Sequence, residues 1–162
     1  MRLTTRSNLA LRTLMFCAVN ADRVVRKHEV ARLCNASENH LAQVVHQLAT
    51  HGFINTLRGR SGGLRLARPI TQITVGQVLR VFESPLPLAE CFDPATNTCP
   101  LSSACLLRLA LHQALDAFYA ALDQHSLSDL VANNSALEMV LQLPATPTAV
   151  IYSKRGEIKL PA

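Results

Sequence analysis

Residues 37–69 read SENHLAQVVHQLATHGFINTLRGRSGGLRLARP, and this stretch decides the fold. Ser37 stands where the N-cap of a helix is expected. Four apolar residues follow at the spacing i, i+3, i+4, i+7, which predicts a helix with one buried face that stops at Gly52. These four are Leu41, Val44, Val45 and Leu48. The polar residues Glu38, Asn39, His40, Gln43 and Gln47 fall largely on the other face.

Two more helices are predicted on the N-terminal side of this stretch. One runs from Thr5 to about Asn20 with a broad apolar face, and a short one runs from about Lys27 to Cys34. Asn35 and Ala36 then form a tight connection. Two helices joined by about three residues, the second of them amphipathic and polar outside, are typical of a helix-turn-helix.

The second half of the quoted stretch predicts a β-hairpin. Two β-prone runs, residues 53–57 and 64–67, flank RGRSGG, whose glycines allow a turn with positive φ. A hairpin directly after a recognition-type helix is a wing. Its tip carries Arg58 and Arg60, and the arginine fork suits phosphate and a narrow minor groove.

Charge is distributed unevenly along the chain of 162 residues. Residues 1–80 hold twelve Lys/Arg against three Asp/Glu, whereas residues 81–162 hold four against eight. The basic first half indicates that this part meets a polyanion, and DNA is favoured.

The pattern after the wing predicts more helix. Residues 70–84 begin with a β-like triplet and continue as a helix from about Val75, which two prolines end. A long helix with a wide apolar face spans about Ala104 to Asp123 and needs a partner. A short helix is expected to start near Ser126, and no fixed structure is expected in the tail.

Three of the five cysteines lie within fifteen residues, as Cys91, Cys99 and Cys105, with the spacing C-x7-C-x5-C. Zinc sites usually contain close C-x2-4-C pairs, which this chain lacks. Wider spacing suits an iron–sulfur cluster, in which three thiolates would leave one iron for another ligand. A zinc site completed by a histidine, or three incidental cysteines, are the alternatives. Cys17 and Cys34 are expected to be small core residues.

Other classes of protein are disfavoured. No apolar run approaches the roughly 20 residues of a membrane span, and no secretory signal pattern is visible, so a cytoplasmic location is expected. No phosphate loop, paired carboxylates or defensible catalytic triad spacing occurs, so no enzyme activity is predicted.

Taken in order, MRLTTRSNLALRTLM, SENHLAQVVHQL, LRGRSGGLRLARP, AECF, CPL, CLLRLAL and SLSDLV resemble the bacterial winged-helix iron–sulfur regulators that include NsrR, IscR and RirA. The resemblance covers about residues 1–140. It implies a mostly α fold with a small β-hairpin wing, in which a winged helix-turn-helix domain precedes a long dimerisation helix. The implied divisions are a DNA-binding domain over residues 1–83, a cluster-binding loop over 84–103, dimerisation and short helices over 104–143, and a tail over 144–162.

The resemblance also implies the site residues and partners. Cys91, Cys99 and Cys105 would hold a [4Fe–4S] or alternatively a [2Fe–2S] cluster, and Asn8 stands where an aspartate of the partner subunit can complete it in NsrR members. A homodimer would bind a palindromic promoter operator in double-stranded DNA. Seven residues are candidates for DNA contact: Ser37, Asn39, His40, Gln43, Arg58, Arg60 and Arg12.

The function implied is that of a repressor whose cluster senses nitric oxide or redox stress and whose cluster loss releases DNA. An iron-responsive, RirA-like repressor of iron uptake genes is the first alternative. The others are a cluster-free, thiol-based DNA-binding regulator and an accessory factor that acts by protein contact.

Overall fold

The computed structural model describes residues 3–59, 62–84 and 87–142. The bounds of its helices are α1 Thr5–Val19, α2 Lys27–Leu33, α3 Glu38–Thr50, α4 Val75–Glu83, α5 Leu106–Asp123, α6 Leu127–Val131 and α7 Ser135–Gln142. Its strands are β1 Ile54–Leu57 and β2 Gly63–Leu66. The predicted class, mostly α with a two-stranded wing, is confirmed.

Helix α1 is the centre of the winged-helix unit, since α3, α4, α6, α7 and β2 all contact it. The aliphatic side chains that fill this core are fully buried: Leu14, Leu41, Leu48, Ile54, Leu64, Ile73, Leu79 and Leu127. Burying a side chain of this kind contributes about 1.5–3 kcal/mol. The apolar stripe predicted for α3 therefore packs as expected.

The connection between α2 and α3 is the predicted tight turn. Asn35 adopts the left-handed conformation with φ 49°, which asparagine tolerates better than most residues. The Ala36 N–H then donates to Ala31 O at 2.9 Å. The turn sets the direction of α3 relative to α2.

The wing is an antiparallel pair in which Ile54 lies opposite Leu66 and Leu57 lies opposite Gly63. Gly59 has φ +98°, but Gly62 and Gly63 do not adopt the left-handed region. A Cβ on Gly63 would lie 2.4 Å from Val25 O, because β2 also bridges to Val25. The sequence predicts positive φ at the wing glycines, and of these only Gly59 adopts it. Gly63 is needed for another reason, because its backbone lies close to the backbone of Val25.

The β-like triplet predicted after the wing is wrong. Residues Ile70–Gln72 form a 3₁₀ turn that follows Pro69, and only Thr74 makes a strand-like bridge, to Ser126. Short pieces of 3₁₀ helix commonly connect other elements. Helix α4 then begins at Val75 as predicted, capped by Thr74 with Gln77 in a capping box.

The C-terminal helices differ in how far they are covered. The predicted short helix is α6, which Ser126 and Asp129 cap and whose Leu127 and Val131 are buried. Helix α7 was not predicted. It returns to α1, where Asn20 Nδ2 donates to Leu141 O at 3.2 Å. Residues 143–162, which include the predicted tail, lie outside the described residues.

Helix α5 contrasts with these, since none of its residues is buried. Leu106, Leu107 and Leu109 are 80%, 66% and 55% exposed. Its C-terminal end is held against α4, where Arg80 forms a paired hydrogen bond with Asp123 at 2.7 and 2.6 Å. Helix α5 therefore leaves the domain as an arm with apolar residues facing outward.

Over the described ranges, no helix combines the length and apolarity that crossing a bilayer requires.

Candidate nucleic-acid interface and cysteine segment

The outer face of α3 is polar, and its start is fixed by a cap. The Ser37 hydroxyl accepts from the His40 N–H at 3.2 Å, which satisfies one of the free donors at the helix start. Asn39 and Gln43 are exposed, and His40 is half-buried. Because the apolar stripe lies on the opposite face, the polar side chains point away from the core.

Arg6 also reaches this face, and sequence reasoning missed it. Its Nη2 donates to Gln43 Oε1 at 3.4 Å. The two residues are 37 positions apart, so no local pattern could have paired them. The contact adds a cation beside the polar face of α3.

Arg12 lies elsewhere than on the α3 face. Its Nη1 donates to Cys34 O at 3.4 Å, so the guanidinium sits over the C-terminal end of α2. A cation at that end of a helix is favourable because the last carbonyls carry partial negative charge. Arg12 is exposed and borders the turn between the two helices.

A groove of about 500 Å³ separates α3 from the wing. Arg58 lines the wing side, and Lys27 and His28 from the start of α2 line another side, together with Arg26. Glu38 is the one acidic residue among the described residues that line the groove. Lys27 and His28 were not among the predicted DNA contacts, although residues 26–28 are three basic residues in a row in the sequence. Arg60 lies outside the described residues.

The three clustered cysteines are free and only partly buried. Cys91 lies in a 3₁₀ turn, Glu90–Phe92, and the Cys99 N–H donates to Asn97 Oδ1 at 3.1 Å. Cys105 is the N-cap of α5, where its Sγ accepts from the Arg108 N–H at 3.4 Å. The structure therefore places one cysteine at the N-terminus of α5 and two on the preceding loop.

Two contacts hold the loop in place. The ring of Phe92 stacks on His112 of α5 with centroids 3.9 Å apart, which fixes the residue beside Cys91. The Glu90 carboxylate accepts from the N–H and the hydroxyl of Thr98 at 2.6 Å each, and these bonds lower the pKa of Glu90. The loop is therefore held by hydrogen bonds between its own residues and is attached to α5 by the stacked rings.

The donor set that the three cysteines offer is sulfur, the ligand type that holds iron–sulfur clusters. In the part of the chain that the structure describes, no three His, Cys, Asp or Glu side chains are grouped so that they could hold one ion. The Nε of Arg108, one helical turn from Cys105, is buried and has no hydrogen-bond partner among the described residues, which suits an anionic group at this position.

The other two cysteines are core residues, as predicted. Cys17 is 2% exposed, and burial raises its pKa to about 12. Burial also raises the pKa of Cys34, although the charge of Arg12 opposes the shift. Neither thiol is suited to metal binding or redox chemistry, because both require the thiolate.

A helix-turn-helix followed by a basic wing defines a winged-helix DNA-binding protein. The family comparison is specific: residues 3–133 match the Rrf2 family, described as iron-dependent transcriptional regulators, and the chain belongs to that family. It is accordingly a DNA-binding transcriptional regulator and not an enzyme. The predicted resemblance is confirmed.

Individual relatives agree with this assignment. The chain is 40% identical over 144 residues to the HTH-type transcriptional regulator NsrR of Halalkalibacterium halodurans, covering 88% of this chain and 99% of that protein. It is also 40% identical over 143 residues to protein aau3 of Rhizobium meliloti, covering 88% and 93%. Among solved structures, the oxidised form of Staphylococcus aureus CymR matches with a TM-score of 0.64 at 24% identity, over 82% of this chain and 97% of that one. This last similarity supports the fold.

Proposed function

We propose that the protein is a homodimeric repressor in which an iron–sulfur cluster bound by Cys91, Cys99 and Cys105 controls binding to a palindromic operator. Nitric oxide is the proposed signal, and loss of the cluster releases the DNA. The observation that carries the proposal is the position of the cysteine segment, on the arm side of a winged-helix domain and attached to α5 by the Phe92–His112 stack.

In this proposal, residues 1–83 bind DNA, residues 84–103 carry most of the cluster site, and residues 104–143 pair the subunits. The exposed leucines of α5 support the pairing, since an isolated helix with such a face is expected to bury it. No role is assigned to residues 144–162.

On the DNA side, α3 enters the major groove. Asn39 and Gln43 read base edges, for which amide side chains suit adenine, with Ser37 and His40 beside them. Arg58 and Arg60 of the wing contact the backbone or the minor groove, and Arg12 and Arg6 contact phosphates next to α3. Two such helices must lie about 34 Å apart, or a multiple of that, to reach both half-sites.

On the sensing side, a cluster supplies iron that reacts with nitric oxide, and its type is [4Fe–4S] or alternatively [2Fe–2S]. The chain contributes three thiolates, one of them at the N-terminus of α5. The fourth ligand is proposed to be Asn8 of the partner subunit, and its neutral amide makes that ligand weak. Because the loop lies between α4 and α5, a change in the loop shifts α5 relative to the winged-helix domain.

A second candidate function keeps the same site and changes the signal. The family description, iron-dependent transcriptional regulator, favours an iron-responsive repressor of iron uptake genes. In that case Asn8, a weak neutral ligand, would hold one iron loosely, and scarcity of iron would affect that position first.

The test compares Cys99→Ala with Cys34→Ala, which removes the same atoms from a buried core thiol. Both proteins are purified without oxygen, analysed for iron and acid-labile sulfide, and titrated with a duplex selected by the wild-type protein from a random library. We expect Cys99→Ala to lose iron, sulfide and tight DNA binding, and Cys34→Ala to keep all three. A Cys99→Ala variant that binds the duplex as tightly as wild type contradicts the proposal.

A further inference from the structure

The side chain of Arg108 has an unusual environment for a cation. In the part of the chain that the structure describes, its Nε is buried and has no hydrogen-bond partner, and its Nη1 reaches Ser102 O only at 3.5 Å. Within the described residues no carboxylate lies within ion-pair distance of it, since the ion pairs found there are Arg23–Glu29 and Arg80–Asp123.

This arrangement has an energetic consequence. Leaving a buried donor unpaired costs about 1–3 kcal/mol, and more when the group is charged. Arginine cannot avoid the cost by losing its proton. The guanidinium is therefore expected to have an acceptor when the protein is in its working form.

The position of Arg108 indicates which acceptor this is. Arg108 is three residues after Cys105, so the two lie on one face of the first turn of α5. Its backbone N–H donates to Cys105 Sγ, and its Nη1 points to Ser102, between Cys99 and Cys105. The guanidinium thus lies against the segment that carries two of the three thiols.

We propose that Arg108 donates a hydrogen bond to a sulfur atom at the cysteine site, either the Cys105 thiolate or a sulfide of the bound cluster. This inference rests on the proposed function and adds a residue to it. Arg108 has no lone pair to offer iron, so it is a positioning and tuning residue and not a ligand. Hydrogen bonds and positive charge next to cluster sulfur raise its reduction potential and help to retain the anionic group.

The test uses the intact, anaerobically purified protein and the variants Arg108→Leu, Arg108→Lys and Arg68→Leu. Arg68→Leu is the matched control, because it makes the same change of charge in the winged domain, where Arg68 lies over Phe53. The readouts are the midpoint potential of the visible chromophore and the rate at which a chelator removes iron, with circular dichroism to verify folding.

We expect Arg108→Leu to make one-electron reduction about tenfold less favourable, which corresponds to about 59 mV. Iron loss to the chelator should become several-fold faster, Arg108→Lys should fall between Arg108→Leu and wild type, and Arg68→Leu should match wild type. Equal potentials and equal rates for Arg108→Leu and wild type overturn the inference, as does an equal shift in Arg68→Leu.

Three outcomes separate this inference from the proposed function. If Arg108→Leu folds but assembles no cluster, the potential of Arg108→Lys decides: a lower value than wild type supports the inference, and an unchanged value overturns it. Wild-type protein that takes up neither iron nor sulfide overturns the proposed function itself. A wild-type cluster that Arg108→Leu leaves unaffected overturns this inference alone.

Discussion

At the scale of single residues, the two sets of proposed DNA contacts have different chemistry. Gln43 presents an amide on the exposed face of α3, and Arg6 donates to its Oε1. The oxygen has a second lone pair and the amide nitrogen two hydrogens, so bidentate pairing with adenine is compatible with this contact. Arg58 is exposed at the edge of the wing groove. One residue is suited to read a base and the other to bind phosphate.

The substitutions Gln43→Ala and Arg58→Ala separate these roles and serve as controls for each other. We expect Gln43→Ala to cost about 1–3 kcal/mol on the selected duplex and little on duplexes changed at the contacted base pair. Arg58→Ala should weaken binding to all duplexes alike and reduce the slope of log K against log salt by about 1. Fluorescence anisotropy at several salt concentrations measures both, and identical profiles for the two variants contradict the assignment.

Residues whose contacts lie close in the sequence could be identified from the sequence, whereas residues whose contacts are distant in the sequence could not. Ser37 acts as a helix cap and Gly59 as a turn residue, both within a few residues of themselves, and local patterns found them. Arg6 and Glu83 act across the fold: Glu83 Oε1 accepts from the Thr4 N–H at 2.8 Å and anchors the start of α1. Contacts between residues so distant in the chain follow from tertiary packing, which no short pattern encodes.

At the scale of elements, the attachment of α5 to α4 decides how α5 is oriented against the winged-helix domain. Thr74 Oγ1 and Arg80 both donate to the Asp123 carboxylate, and the bond from Arg80 lowers the pKa of Asp123. Arg80 also lies over the ring of Tyr119, 4.8 Å from its centroid. Gly76 makes this approach possible, since a Cβ there would lie 2.1 Å from Asp123 Oδ1.

Gly76→Ala tests this attachment. In a free helix the change would stabilise by about 1 kcal/mol. Here the added methyl group must displace Asp123, so we expect a net loss of about 1–3 kcal/mol in the free energy of unfolding. Urea titration of Gly76→Ala in the wild-type and Asp123→Ala backgrounds measures the coupling. The substitution should lose most of its cost when Asp123 is absent, and an equal cost in both backgrounds rules out the clash.

Elements were predicted well where periodicity and caps agreed. Helices α1 to α5 and the hairpin follow the expected positions because apolar spacing, the cap Ser37 and the turn residue Gly59 all indicate the same structure. The segment Ile70–Gln72 was misassigned because β-branched residues favour strands only when a neighbouring strand is available. Helix α7 is short, and its contact with α1 arises only in the folded chain.

At the scale of the whole molecule, one exposed helix, α5, connects two regions. One is the basic winged-helix domain, and the other is the loop that carries the cysteines. The charge asymmetry of the sequence follows this division, with the basic residues concentrated in residues 1–80. The fold and the family follow from the described structure and the matched profile. The pairing of two chains and the chemistry at the thiols are proposals, because both depend on groups beyond a single chain.

The most direct measurement is an anaerobic titration of the wild-type protein with nitric oxide, followed at once by visible absorbance and by anisotropy of the selected duplex. The account predicts that the chromophore bleaches and the duplex is released over the same range of nitric oxide. Bleaching that leaves the duplex fully bound would contradict it.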